Sequence, residues 1–442
     1  AIAALSYSNN LKYTEGTRDR LGFTAYDDKV YNNSVAVALL GNISLLIKNK
    51  HRISWKNNYT INSDDNTTLR SGIDNNSSTS EVQRTNLEFI SSRVLSSNLS
   101  GEHVFGKKEY KLRWNGGVIL MNRDQPRNIR YSYERGYDAD SFGAPNKNTS
   151  RYFLVLPESS ADPKYNTMFY SRLNENLYNV GIDFTAPFWV GTRKQSFKTG
   201  VYYQNRSRDF EARYLFIRKN PNAVFSNEML AQPIDQIVNA SNIQNGSINL
   251  TQIPNPNDQY QAVSNTYAGY VMMENNVTDW LKAVWGFRFE YFSQKLNTSS
   301  RYEVNYMYDE NGNLVKDGNG NYVKHGSFLD TIYSKNYFSG AYRADSNGQN
   351  VKPIFPLLPS VNLIFKLNEN MNIRSSYSQS MSRPEFREIA PFIYYDFIND
   401  YELKGNENLQ QTFIHNADLR YEWFMGKGQV LNASVFYKHF TN

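Results

Sequence analysis

The chain has 442 residues, no cysteine, and 48 basic against 42 acidic side chains, a formal net charge of +6. Absence of Cys excludes a disulfide framework and any Cys-based zinc or iron–sulfur centre. The charges are spread along the chain rather than gathered on one element, so a nucleic-acid partner is not expected.

Tyr (33) and Phe (26) dominate the apolar composition, a bias that favours strands over helices. The longest apolar run covers only residues 35–40, too short for a membrane-spanning helix. The mean hydropathy of -0.64 is compatible with a membrane barrel, whose strands show only half their residues to lipid.

Period-two alternation recurs from end to end. A first strand is expected near residues 4–13. Next, Val35, Val37, Leu39, Ile43, Leu45 and Ile47 fall on one parity. Tyr110, Leu112, Trp114, Val118 and Leu120 oppose Lys111, Arg113 and Asn115. Val180, Ile182, Phe184 and Phe188 oppose Asn179, Asp183 and Thr185. Leu281, Ala283, Trp285, Phe287, Phe289 and Tyr291 oppose Lys282, Arg288 and Glu290. Ala417, Leu419, Tyr421 and Trp423 oppose Asp418, Arg420 and Glu422. Charges in mid-strand suit a wall with lipid on one face and a wet lumen on the other.

The expected strands run about 10 to 20 residues, longer than those of globular sheets and sufficient to cross a bilayer on a tilt. Short connections fall at residues 48–50, 105–108, 189–194, 276–279, 368–370 and 425–428. Long ones are expected at 63–81, 124–165, 214–264, 298–353 and 382–409, a strict alternation typical of outer-membrane barrels. Phe105, Phe188, Trp189, Trp280, Trp423 and Phe424 sit beside the short turns, as an interfacial aromatic girdle would. The fold class is therefore all-β: a transmembrane antiparallel barrel with about 13 strands present. An odd number of strands cannot close such a wall, so further strands are expected.

Several stretches invite chemistry. Arg383, Glu385, Arg387 and Glu388 place both signs within six residues around Pro384, which cannot donate to a ladder. One reading is an inward-folded segment contacting a plug or cargo. The other, given more weight, is a self-neutralising ion-pair cluster that shapes a loop. Tyr131, Tyr133 and Tyr137, beside the basic stretch 123–130, are candidate substrate contacts; packing between long loops is the plainer alternative. The acidic Asn-Gly stretches from Asp309 and Asp317 fail calcium-loop spacing, with Leu314 and Gly320 where Gly and Glu are needed, and read as hairpin turns. The five histidines are scattered without metal-ligand spacing, so no metal, cofactor or catalytic residue is expected.

The C-terminal quarter reads Leu358-Pro-Ser-Val-Asn-Leu, then Ile373-Arg-Ser-Ser-Tyr-Ser-Gln-Ser-Met-Ser-Arg-Pro-Glu-Phe-Arg-Glu-Ile-Ala-Pro-Phe, Leu403-Lys-Gly-Asn-Glu-Asn-Leu, Asn416-Ala-Asp-Leu-Arg-Tyr-Glu-Trp and Ser434-Val-Phe-Tyr-Lys. With Ser6-Tyr-Ser-Asn-Asn and Trp285-Gly-Phe-Arg-Phe-Glu, this succession resembles the barrel of TonB-dependent receptors from Bacteroidetes over essentially the whole chain. The resemblance implies a barrel of about 22 strands filled by an N-terminal plug. On it, residues 1–442 form part of that barrel domain, without the plug, the TonB box and the first and last strands. It also implies active import of a bulky nutrient of the siderophore, glycan, peptide or cobalamin class. Expected partners are outer-membrane lipid, the chain's own N-terminal plug, TonB and a surface lipoprotein. Competing readings are a passive outer-membrane pore or translocon component, and a secreted β-rich adhesin or glycan-binding protein. An outer-membrane enzyme is the least supported.

Overall fold

The computed structural model describes residues 1–20, 23–75, 80–136, 138–139, 145–146, 151–158, 162–252, 258–298, 318, 349–406, 408–426 and 428–441. Thirteen long strands form one sheet in chain order, each antiparallel to the next. They are β1 (Ile2–Arg20), β2 (Thr24–Ile47), β3 (His51–Asp74), β4 (Ser80–Phe105), β5 (Tyr110–Gly136), β6 (Thr167–Val190) and β7 (Arg193–Lys219). They continue as β8 (Gln259–Asn276), β9 (Leu281–Thr298), β10 (Leu357–Asn368), β11 (Met371–Ser382), β12 (Thr412–Gly426) and β13 (Gln429–Thr441).

The sheet curls. Neighbouring strands lie ~4.8 Å apart, so β1 and β11 would stand roughly 50 Å apart in a flat sheet. Yet Arg18 of β1 donates to Asn399, in the connection that leaves β11, at 3.0 Å. A wall rolled around that connection brings the two together. The connection also touches β3, β5 and β7, so it lies on the concave face.

Parity is kept from strand to strand. Leu39, Tyr59 and Leu95 are successive register partners, as are Ile182, Val201, Gly269 and Phe289. They share the convex, apolar face, where Leu39, Leu95, Ile182, Val201 and Phe289 are all exposed. Arg113, Asp183, Gly200, Tyr270 and Arg288 run along the concave face in the same way. The five alternating segments of the sequence thus all present their apolar sets outward.

Two aromatic levels bound the apolar band. Phe105, Trp189, Trp280, Trp423 and Phe424 are exposed at the short-turn end. At the other, Tyr203, Tyr267 and Tyr291 meet across β7, β8 and β9 as tilted ring pairs with centroids 4.8 and 6.0 Å apart. Rings with one apolar body and one polar tip suit the two headgroup levels. At the first short turn, residues 48–50, Lys48 and Asn49 both have positive φ (50° and 51°), and the Lys50 N–H donates to the Ile47 carbonyl at 3.1 Å.

The long connections differ from expectation. β3 and β4 stay paired to Asp74↔Ser80, so residues 63–74 are strand rather than loop. β1 and β2 also join on that side within residues 21–23. The strict short–long alternation therefore fails at its first two places. Backbone pairing needs no apolar side chains, so polar strands run on into water as hydrogen-bonded ribbons. β5 and β7, at 27 residues each, overshoot the band in the same way.

Candidate functional site

Most of the apolar core lies inside the wall, at the end opposite the short turns. Phe169 of β6, Ala212, Tyr214 and Phe216 of β7, Tyr260 and Ala262 of β8 and Phe292 and Leu296 of β9 face inward there. Phe386, Ile389, Ala390 and Phe392 of the β11–β12 connection pack onto them, all at most 2% exposed. The connection is a folded unit. It holds a short helix, Phe386–Ile389, and a hairpin pairing Ile393–Asp396 with Tyr401–Lys404. Gly405 seals its base: a Cβ there would lie 2.1 Å from the Ala390 carbonyl oxygen, so only Gly permits this approach.

The four charges singled out by sequence all serve this inward fold. Glu385 accepts from Arg206 of β7 at 2.8 Å. Glu388 accepts from the Glu385 backbone N–H at 2.8 Å, capping the helix start. Arg387 donates to the carbonyls of Phe392 (3.1 Å) and Leu403 (3.3 Å), tying helix to hairpin. Burial pushes its guanidinium below the ordinary range, and the Phe392 ring 5.1 Å away shields it further from water. Arg383 pairs with Glu290 of β9 and lies 4.5 Å from the Phe292 ring. The segment folds inward, and its charges are engaged by ion pairs, a helix cap and backbone carbonyls.

The far end of the segment is held differently. The hairpin tip rests on three arginines of β3, β4 and β5, none more than 2% exposed. Arg70 grips Asp28 with two hydrogen bonds, 2.7 and 2.8 Å, and donates to the Ile398 carbonyl at 2.9 Å. Arg84 pairs with Asp74 and donates to Tyr26 Oη at 2.8 Å. Among the described residues Arg130 bonds oxygens of neutral groups: Asn86 (3.3 Å), Pro163 (3.4 Å) and Tyr395 (3.2 Å). Tyr26, Tyr394, Tyr395 and Phe397 lay their ring faces against these guanidinium groups, at 4.6–6.0 Å. Burial and the neighbouring Asp400 carboxylate push the Tyr395 hydroxyl well up, so it stays protonated and donates to Asp400. Asp400 itself adopts φ 56°, closing the hairpin tip.

The tyrosine candidates lie elsewhere. Tyr131 and Tyr133 face the convex side, where they pack on Leu154, Ile217, Ile237 and Ile248. Tyr133 donates to the Gln232 carbonyl at 2.8 Å and meets Tyr131 edge-on. A one-residue bulge decides their direction. β5 pairs Gln125↔Ser171 and then Ile129↔Met168, four steps on β5 against three on β6. Before it, odd positions such as Arg113 face the lumen; after it, Arg130 does and the odd tyrosines face out. The structure therefore separates Tyr131 and Tyr133 from Arg383, Glu385, Arg387 and Glu388. Tyr137 and the stretches from Asp309 and Asp317 lie outside the described residues.

Sequence reasoning missed the arginine trio, whose partners sit far along the chain: Asp28 and Arg70 are register partners 42 residues apart. It also saw the histidines as scattered, whereas His51↔His103 and His415↔His439 are cross-strand neighbours. Trp114 donates to His103 Nε2 at 3.0 Å, leaving Nδ1 to face His51 Nδ1 at 3.2 Å. Among the described residues no three His, Cys, Asp or Glu side chains are grouped to hold a metal.

The C-terminal residues 334–442 match the model of the outer membrane protein beta-barrel family. The closed form of the ferric-catecholate import receptor Fiu from E. coli K12 superposes on 99% of this chain with a TM-score of 0.52 and 11% identity. The wall has the fold of the TonB-dependent outer-membrane receptor barrels. The open form of Fiu gives 0.50 at 10% identity, again over 99% of the chain. The unliganded ferric citrate transporter FecA gives 0.45 at 10% identity over 96%. These are import receptors and transporters, not enzymes. The chain spans 57%, 59% and 50% of their respective lengths. A comparison with curated proteins finds no match. In such a barrel the apolar convex face meets outer-membrane lipid, and the concave face holds the inward segment.

Proposed function

We propose that this chain forms much of the wall of a TonB-driven importer of the Bacteroidetes type. It would carry a bulky nutrient of the siderophore, glycan, peptide or cobalamin class across the outer membrane. One observation supports the reading most: the segment 383–409 is folded across the lumen at the end opposite the short turns. There it can contact an N-terminal plug from one side and incoming cargo from the other. Arg383, Glu385, Arg387 and Glu388 would hold that segment in register, while Tyr131 and Tyr133 shape the loops outside the wall. On this reading residues 1–442 are part of a larger barrel domain whose plug engages TonB, with a surface lipoprotein above.

The full-length gene product in a planar bilayer decides between plugged importer and open pore. A plugged receptor stays nearly silent and binds the periplasmic domain of TonB in a pull-down. Steady ion conduction together with no TonB binding would overturn the proposal and favour a passive pore.

A further inference from the structure

A cleft of about 710 Å³ opens on the convex face, between the outer ends of β4 and β5 and the connections packed against them. Gln83, Tyr131, Arg151, Tyr152, Gln232 and Asp235 line it, among others. Gln83 of β4 is the register partner of Tyr133, so both face outward together with Tyr131. The alternate residues Arg84 and Ser132 point the other way and are 1% and 0% exposed, so the wall is closed behind the cleft.

Its height follows from the strands. At ~3.3 Å per residue and a tilt of ~40°, the stretch of about ten residues from Leu120, exposed in the apolar band, to Tyr131 climbs roughly 25 Å. Register agrees: Arg130 leads to Thr167 of β6 and Phe216 of β7, far beyond Tyr203 on that strand. The cleft therefore stands outside the headgroup level, on the long-connection side, which faces away from the cell in outer-membrane barrels. Hydrocarbon and headgroup phosphates lie below it. The saccharide portion of surface glycolipids and free solutes reach it.

The lining suits a neutral polyhydroxyl ligand. Tyr131 and Tyr133 meet at an interplanar angle of 84°, so their rings set two sides nearly at right angles. The Tyr133 hydroxyl is committed to the Gln232 carbonyl at 2.8 Å, which fixes both that ring and the β7–β8 connection opposite. Arg135 lies 4.5 Å from the Tyr152 ring centroid and is itself held by Glu81 at 2.7 Å, so the third ring is also set in advance. Among the described residues the Tyr131 hydroxyl has no hydrogen bond, and Arg151 and Asp235, both exposed, have no ion-pair partner within 4.0 Å. One free guanidinium and one free carboxylate on the same rim favour neither an anion nor a cation. They do match sugar hydroxyls, which accept from the first and donate to the second, while the Gln83 and Gln232 amides offer both roles. The C–H faces of a pyranose ring pack on tyrosine rings. We infer that this cleft binds a neutral saccharide unit, carried by a surface glycolipid or free in solution. The cleft lies outside the wall, so the inference goes beyond import and does not depend on what the lumen carries.

The test uses the full-length protein in detergent micelles, with equilibrium binding read by thermophoresis. The probes are the native cell's whole surface glycolipid, its saccharide released by mild acid, its lipid anchor stripped of sugar, and a panel of free neutral oligosaccharides. Binding of the whole glycolipid and of its released saccharide assigns the surface coat as the source; binding within the panel alone assigns a soluble one. Arg151→Gln/Asp235→Asn should weaken binding roughly tenfold or more, because hydrogen bonds to two charged groups are lost. Tyr152→Leu should weaken it roughly fivefold through lost ring packing. Raising NaCl from about 0.1 to about 0.5 M should change affinity less than about twofold, because a neutral ligand is not screened. Heat-modifiable migration on a gel confirms that each variant is folded. Unchanged affinity in the double variant, binding of the stripped anchor, loss of affinity in salt, or no binding of any saccharide would each overturn the inference.

Discussion

Two apolar clusters sit at the same end of this wall, back to back across one strand. Phe216 of β7 points into the inner cluster and Ile217, the next residue, into the outer one. The inner cluster roots a segment that crosses the lumen and is then held at its tip by polar bonds to β1, β3 and β5. The outer cluster pins two long connections to the outer surface of neighbouring strands, through Leu154, Ile237 and Ile248. The same alternation thus serves two ends. Inside, apolar burial orders a segment far from its own strand neighbours; outside, it keeps loops close to the strands that launch them.

The largest break in this symmetry should come from Phe386→Ala. Phe386 is 1% exposed, and the guanidinium groups of Arg206 and Arg208 lie 5.0 and 5.3 Å from its ring. Removing a buried phenyl ring destabilises by ~3–5 kcal/mol, cavity included. Amide hydrogen exchange in the full-length protein should speed up across 386–406 by two orders of magnitude or more, while residues 227–250 keep their protection. Equal loss in both regions would mean that the two clusters open as one unit.

Arg70→Ala attacks the tip rather than the root. It strands Asp28 in a buried site, where breaking an ion pair costs about 3 kcal/mol, the low end of the usual range. The low end applies because Arg18 remains 3.4 Å from Asp28. Exchange should rise at 397–400 and hardly at 386–390. Asp28→Leu combined with Arg70→Met should recover most of the loss, since apolar pairs of similar size replace buried ion pairs well. A double variant as mobile as the single one would show that the Ile398 carbonyl bond, not the ion pair, holds the tip.

Ile237→Ala is the matching cut on the outside. Ile237 is fully buried, but in a small cluster that can collapse, so a loss of about 2 kcal/mol is expected. Residues 227–250 should exchange faster and the inner segment should not respond.

How much of this was legible beforehand differs between the two regions. The thirteen strands and their outward parity follow from side-chain alternation such as 281–291, because hydrophobic period is a local property. The overshoot past the band was not legible, since residues 63–74 carry no apolar pattern and pair through backbone alone. The charges at 383–388 announced a special segment, but their partners Arg206 and Glu290 are remote in sequence, and register is a property of the assembled sheet. The same holds for Asp28 with Arg70 and for His51 with His103. Tyr131 and Tyr133 show the sharpest limit. One extra residue near Pro126 reverses their face, and a proline in a strand signals weakened pairing without saying which way the chain resumes.

That reversal yields the smallest and most discriminating prediction. Tyr133 keeps one hydrogen bond, to the Gln232 carbonyl, and its ring packs in the outer cluster. Tyr133→Phe removes the bond and keeps the ring, at a cost of about 1 kcal/mol, felt only by the 227–250 connection. If instead the tyrosine served cargo entering the lumen, the variant would leave loop exchange unchanged and weaken nutrient uptake. Measuring both in the same full-length protein separates the roles. A change in exchange at 227–250 with uptake intact assigns Tyr133 to the outer architecture, as its post-bulge parity requires. The opposite result would mean that the connection 220–258 moves aside during import and carries Tyr133 with it.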